Sequence, residues 1–360
     1  MKGFKSFLAR KNIEISAKKY FIDAMGSMAL GLFATLLIGT IFGTIGDSFG
    51  VAFCSEIRTY AQAATGMALG VAIANSLKAP PLVMFSCAVV GHIANSMPFT
   101  YHDTTLTAGP AGAFFVVIIA CEIGKMVSKE TPVDILVTPV VTILTGYGVS
   151  LLVCPALSFL IYYIAVFIGI SMEWVPLLMG IVVAIIVGMI LTLPISSAAI
   201  CAMIFSQTII DSSPNGEAIK LAAGAAAVGC CAQMIGFAVT SFRENRWGGL
   251  VAQGLGTSML QMGNIVKKPQ IWIAPTVAGA VCGALSAVIF KLKCVGVSAG
   301  MGTCGLVGPI GIFSASGSSA STWIGIVLLC FVVPAVVSLL VDLLLRKLGV
   351  VKPGDMKLDI

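Results

Sequence analysis

The chain has 360 residues, 58% of them apolar and only 10% charged, with 21 Lys or Arg, 15 Asp or Glu and a mean hydropathy of +1.04. A soluble domain is about a quarter charged, so this composition excludes a soluble enzyme, a disordered chain and a nucleic-acid binder. The net charge of +6 does not reverse the last exclusion, because the basic residues lie between apolar runs and not on one stripe.

A bilayer core of about 30 Å takes roughly 20 apolar residues per helix. In chain order the apolar runs predict spans at 21–45, 57–77, 81–97, 109–127, 133–153, 176–193, 219–240, 247–264, 270–290 and 322–345. The stretches 155–172 and 196–210 are ambiguous, and 300–316 is rich enough in Gly and Ser for a broken or re-entrant helix. The expected fold is an all-α polytopic membrane protein with about ten transmembrane helices (10–12). Its organisation reads as a basic tail (1–20), a first transmembrane repeat (21–153), a linking membrane region (154–218) broken at 193–197, a second repeat (219–346) and a tail (347–360).

Lys2, Lys5, Arg10, Lys11, Lys18 and Lys19 precede the first apolar run without a small-residue cleavage site, so no cleavable signal peptide is expected. By the positive-inside rule these cations put the N-terminus in the cytoplasm. Arg346, Lys347, Lys352 and Lys357 put the C-terminus there too, and the alternation leaves 17 cations inside against four outside (Arg58, Lys220, Lys267, Lys268).

Residues 61–80 read AQAATGMALGVAIANSLKAP and residues 252–269 read AQGLGTSMLQMGNIVKKP. With a two-residue gap they share A-Q, T-[GS]-M and N-x-x-K-x-P, and G-P-x-G-x-F recurs further on as Gly109–Phe114 and Gly308–Phe313. The assigned orientation runs 57–77 and 247–264 in opposite directions, an inverted repeat of the kind on which secondary transporters build a midplane site. Gly109-Pro110, Gly308-Pro309 and the stretch 193–197 read as helix breaks, which lipid tolerates only where they line a cavity or lie within protein; a kink that merely shapes packing is the alternative for any one of them.

Amides and ionisable groups inside spans are costly and usually face a bundle interior or a cavity. Gln62, Asn75, Glu122, Gln233, Gln253, Gln261 and Asn264 stand out, with the hydroxyls of Thr65, Ser196, Ser197, Thr257, Ser258 and Thr303. Such groups both donate and accept, which suits a neutral polyol or sugar. The absence of Lys and Arg between Lys129 and Lys220 argues against an anion. Glu122 reads either as a solute- or proton-binding carboxylate or as one snorkelling toward Lys125 and Lys129.

Eleven cysteines without a CxxC, and only His92 and His102, offer no metal-ligand spacing, and no cofactor is implied. Cys230-Cys231 is a redox pair or, more simply, small apolar packing. Gly300–Gly305 satisfies G-x-G-x-x-G but has no βαβ context, so it reads as close backbone approach. Gly39-x-x-x-Gly43 suits helix packing, although 39 glycines make the pattern common by chance.

LTLPISSAAI (191–200), AAGAAAVGCCAQMIGFAV (222–239), QGLGTSMLQMGNI (253–265) and AGMGTCGLVGPIG (299–311) resemble the stand-alone IIC-type membrane subunits of the phosphotransferase system, the branch with perfringolysin regulator-like proteins. The resemblance implies a bacterial inner-membrane sugar transporter, a homodimer, working with separate IIA and IIB phosphocarriers. No IIA- or IIB-like domain is expected in the short tails, so no catalytic or phosphorylated residue is assigned. A membrane sensor or regulator that binds a solute or partner without net transport is the alternative.

Overall fold

The structure, a computed structural model, describes residues 7–101, 104–193 and 196–358, which leaves His102, Pro194 and Ile195 outside the described residues. It divides into two compact units, Met1–Ile164 and Ala165–Ile360. Among the described residues six helices are long and apolar enough to cross a membrane, and four shorter apolar helices accompany them. The only strands there form one hairpin, Pro98–Tyr101 with Thr104–Thr107. The protein has the expected all-α polytopic fold.

The first unit holds α1 (Lys19–Gly43), α2 (Ala52–Ala63), α3 (Thr65–Ser76), α4 (Pro81–Ser96), α5 (Gly109–Val127) and the start of α6 (Asp134–Trp174). Gly39 and Gly43 of α1 face α2, where an added Cβ would meet Gln62 or Arg58. In the same way Gly66, Gly70 and Gly91 bring the α3 and α4 backbones together, and a Cβ at Gly70 would collide with the Cys87 carbonyl. Small residues let helices approach where lipid offers no hydrophobic drive to associate. Pro81 and Pro110 sit in the first turns of α4 and α5, where their missing N–H groups cost no helical bond.

Three sequence expectations shift here. The span expected at 57–77 is interrupted, because α2 ends and α3 begins around Ala64. The Gly109-Pro110 break lies at the start of a helix, with Gly109 at φ 53° following the hairpin. Residues 133–153 and 155–172 form one helix of 41 residues that runs through Pro139 and Pro155. Neighbouring groups can re-satisfy a backbone freed by proline in a membrane segment, and at about 1.5 Å per residue this helix exceeds what one crossing needs.

The second unit contains α7 (Pro176–Thr192), α8 (Ser197–Ile204), α9 (Gln207–Ser212), α10 (Gly216–Thr240) and α11 (Phe242–Val251). After these come α12 (Met262–Lys267), α13 (Pro269–Phe290), α14 (Val307–Ser316) and α15 (Ala320–Lys347). The ambiguous stretch 196–210 is therefore two short helices, each N-capped by a serine: Ser196 accepts from Ala199 N at 3.1 Å and Ser206 from Ile209 N at 3.4 Å. α10 is the buried centre of this unit. Its run of Ala and Gly explains how: a Cβ at Gly224 would strike the Leu292 carbonyl, and one at Gly229 the Ala184 carbonyl. Cys230 and Cys231 are fully buried in this helix, both as free thiols.

The span expected at 247–264 is not continuous. Ala252–Gly256 is a π-helical turn, Thr257 is extended (φ −158°, ψ 141°), and Ser258–Gln261 is a 3-10 turn before α12. A similar irregular segment precedes α14, with a 3-10 turn at Gly296–Gly300 and left-handed backbone at Gly302, Gly305 and Leu306. Gly308-Pro309, like Gly109-Pro110, therefore stands in the first turn of a helix. A common order recurs along the chain: a long helix, an interrupted pair of short helices, a proline-started helix, a non-helical connection (the hairpin first, irregular backbone and 3-10 turns second), a Gly-Pro-started helix and another long helix. It covers α1 to α6 and again α10 to α15.

Candidate solute-binding site

The polar side chains singled out in the sequence separate into two environments. In the first unit Gln62 and Asn75 are exposed on α2 and α3, and among the described residues neither side chain has a hydrogen-bond partner. Thr65 is 5% exposed and its hydroxyl has no partner among the described residues. Glu122 lies on α5 beside Lys125, whose Nζ is 2.8 Å from its Oε2. The Tyr20 hydroxyl donates to Glu122 Oε1 at 3.3 Å. Lys125 is completely buried and also donates to the carbonyls of Asn12 and Leu77, each at 3.0 Å. A buried ammonium needs such a set of acceptors, so Glu122 serves here as one wall of a lysine cage.

In the second unit the interrupted backbone brings polar groups together. Thr303, buried beside Gly302, donates to the Gly254 carbonyl at 2.6 Å. Ser197 donates to the Gly300 carbonyl at 2.6 Å, whereas Ser196 caps α8. The Ser258 and Thr192 hydroxyls lie 3.2 Å apart, both fully buried. Thr257 accepts from Met259 N at 3.1 Å. The glycines of 300–308 permit this crossing: a Cβ at Gly302, itself at φ 57°, would lie 2.7 Å from the Cys230 backbone. The G-x-G-x-x-G match thus marks close backbone approach, with no nucleotide motif required.

Three amides form a chain. Gln253 Nε2 donates to Ser241 Oγ (2.8 Å) and to the Gly249 carbonyl (3.0 Å), while its Oε1 accepts from Gln261 Nε2 at 2.9 Å. Gln261 donates also to the Met356 carbonyl (3.0 Å) and accepts from Asn264 Nδ2 (2.8 Å), which reaches the Lys357 carbonyl at 2.9 Å. Gln253 and Gln261 are fully buried. Gln233 on α10 is separate from this chain: it accepts from Trp272 Nε1 at 3.1 Å and donates to Thr276 Oγ1 at 3.2 Å.

Several participants escaped the sequence reading. Thr192, Ser241, Trp272 and Thr276 are single polar groups inside apolar runs; only the four-residue spacing of Trp272 and Thr276, which puts both on one helix face, was a usable signal.

What this arrangement offers chemically is a set of neutral donors and acceptors on irregular backbone, with no charged group in the amide chain itself. Such groups can exchange partners with hydroxyls at little electrostatic cost. No curated protein and no solved structure matches the chain. A family model described as phosphotransferase system, EIIC, matches residues 22–358. The chain therefore belongs to the phosphotransferase EIIC family of sugar-transport membrane subunits.

Proposed function

We propose that this EIIC-family subunit moves a small, neutral, polyhydroxylated solute by alternating access, and that the solute's hydroxyls are met by the amides and hydroxyls of the second unit. The residues proposed to contact it are Gln253, Ser258, Gln261, Asn264 and Thr303, with Gln233 on the neighbouring helix. One observation carries the reading: buried neutral amides and hydroxyls gather on interrupted backbone at 252–264 and 296–306 in a chain of this family. Irregular backbone at membrane depth is tolerated where it is buried in protein or lines a cavity.

In this reading the two runs α1–α6 and α10–α15 are copies of one inverted repeat, a view supported by their common element order and by the shared motifs. Gln62, Thr65 and Asn75 are the first-copy counterparts of the second-copy polar residues. The chain acts in a bacterial cytoplasmic membrane as a homodimer served by separate IIA and IIB phosphocarriers. Family membership supports the phosphocarriers. The tally of 17 cations against four does not carry the orientation, because Lys220 and Lys293, assigned to opposite sides, share the Glu217 carboxylate, and Asn264, three residues from Lys267, meets the Lys357 carbonyl.

Proteoliposome uptake of radiolabelled D-glucose, D-fructose, D-mannitol and D-galactitol, with and without soluble phosphocarriers, tests the reading. Saturable uptake of at least one of them, abolished in Gln261→Ala and reduced in Gln233→Ala, is the expected result. Uptake unchanged in both folded variants contradicts the site, and binding without flux favours a sensor.

A further inference from the structure

Past the end of α15 the chain turns back: Val350 N donates to the Leu345 carbonyl at 2.9 Å, and residues 351–358 lie against the second unit. Only Val351 and Met356 of this segment are buried, in an apolar cluster with Phe237, Ile265 and Ile271. Lys352, Pro353, Gly354 and Lys357 are exposed.

Apart from the Thr240 hydroxyl, 3.5 Å from the Met356 sulfur, the remaining contacts to this segment read main chain. Glu244 accepts from Gly354 N at 3.1 Å and from Met356 N at 2.9 Å. Asn245 donates to the Met356 carbonyl and accepts from Leu358 N, each at 2.8 Å. Gln261 and Asn264 take the Met356 and Lys357 carbonyls. Arg346 holds the Glu244 carboxylate at 3.2 Å and is itself held by Asp342 at 2.7 Å. Four side chains thus grip five backbone groups of a peptide folded into turns at 353–356, with one apolar socket for Met356.

Two of those four, Gln261 and Asn264, belong to the proposed solute site. An amide whose N–H groups are given to Met356 and Lys357 cannot at the same time give them to a hydroxyl. We infer that residues 351–358 are an autoinhibitory strap, a peptide stand-in that occupies these amides until a hydroxyl-bearing solute displaces it. This rests on the function proposed above. Release withdraws two buried side chains from the apolar cluster they share with Phe237, Ile265 and Ile271, a local opening below global unfolding in free energy. While the strap is docked, the solute's apparent affinity is reduced by the fraction of molecules that are open.

The test is equilibrium binding of the same four radiolabelled solutes to the purified full-length protein and to Met356→Asp, which removes the anchor without touching a proposed solute ligand. Asn245→Ala, which cuts two backbone contacts, serves as a second release variant should Met356→Asp misfold. The expected result is an apparent affinity raised about tenfold or more with unchanged capacity, and binding lost in Gln261→Ala. Unchanged affinity in a folded release variant, with binding still lost in Gln261→Ala, overturns the strap alone. Binding that survives Gln261→Ala, or is absent in every variant, overturns the site reading and the strap with it.

Discussion

In the stretch 61–76 Gln62 and Asn75 stand exposed and the Thr65 hydroxyl has no partner among the described residues, whereas in 253–264 Gln253, Gln261 and Asn264 are engaged at every N–H. Both stretches have the same local plan of interrupted helix followed by a proline-started helix. What differs is the terminal segment laid beside each. The C-terminal segment offers carbonyls to Gln261 and Asn264, whereas Gln253 is held by Ser241 and Gly249. The N-terminal segment instead meets the first unit at Lys125, through the Asn12 carbonyl, and at Glu130, which lies 2.8 Å from Arg10 and 2.5 Å from Lys11. One sequence pattern can therefore be left open or saturated according to what the rest of the chain brings to it.

The comparison can be broken most forcefully at Lys125. Removing one partner of a buried ion pair costs about 3–5 kcal/mol, so Lys125→Ala is expected to cause a large loss of thermal stability in detergent, with Lys125→Met/Glu122→Gln recovering most of it. Melting at the wild-type temperature would show that the cage does not hold the first unit. A smaller effect is expected from Gln261→Ala, which orphans the buried Gln253 carbonyl oxygen. An unsatisfied buried polar group costs about 1–3 kcal/mol, and the same melting assay should register that loss.

Gln62→Ala sharpens the contrast, since an exposed side chain without partners should change stability by less than about 0.5 kcal/mol. A loss equal to that of Gln261→Ala would erase the difference between the two stretches. The smallest effect concerns pH. The hydrogen bond from Lys11, and beyond it the Arg10 charge, hold the Glu130 carboxyl below its usual range. A group with a depressed folded pKa contributes its stabilisation above the unfolded pKa and loses it as pH falls through the folded one. Hydrogen exchange at Asn12 and Ile13 should therefore quicken on acidification below the ordinary carboxylate range, and Glu130→Gln should remove that dependence.

Much of the fold was legible because lipid demands it. Scarce charge and long apolar runs mark α1, α5, α10, α13 and α15 without ambiguity, and Gly-Pro correctly signals discontinuity. The location of that discontinuity was harder to read: proline is as compatible with the first turn of α5 and α14 as with a mid-helix kink. Pro155 looked like a boundary, yet α6 continues through it. The interruption at Ala64 carries no breaker residue of its own, whereas the one at Thr257 follows Gly254 and Gly256 and is held by the Thr303 bond to the Gly254 carbonyl. Gln253, Gln261 and Asn264 were visible as polar residues in apolar surroundings. Their partners were not, because Gln261 and Asn264 bind the main chain of 356–357, which leaves no side-chain pattern. The charged look of 347–360 suggested a solvated tail, and only Val351 and Met356 hinted that part of it is docked.

The most direct measurement of the central claim is solute protection of a cysteine placed in the amide chain. Asn264→Cys, reacted with a soluble maleimide in the presence of whichever of the four solutes is taken up, should be alkylated several-fold more slowly than without it. Equal rates at saturating solute would contradict the assignment of these amides to the transported molecule.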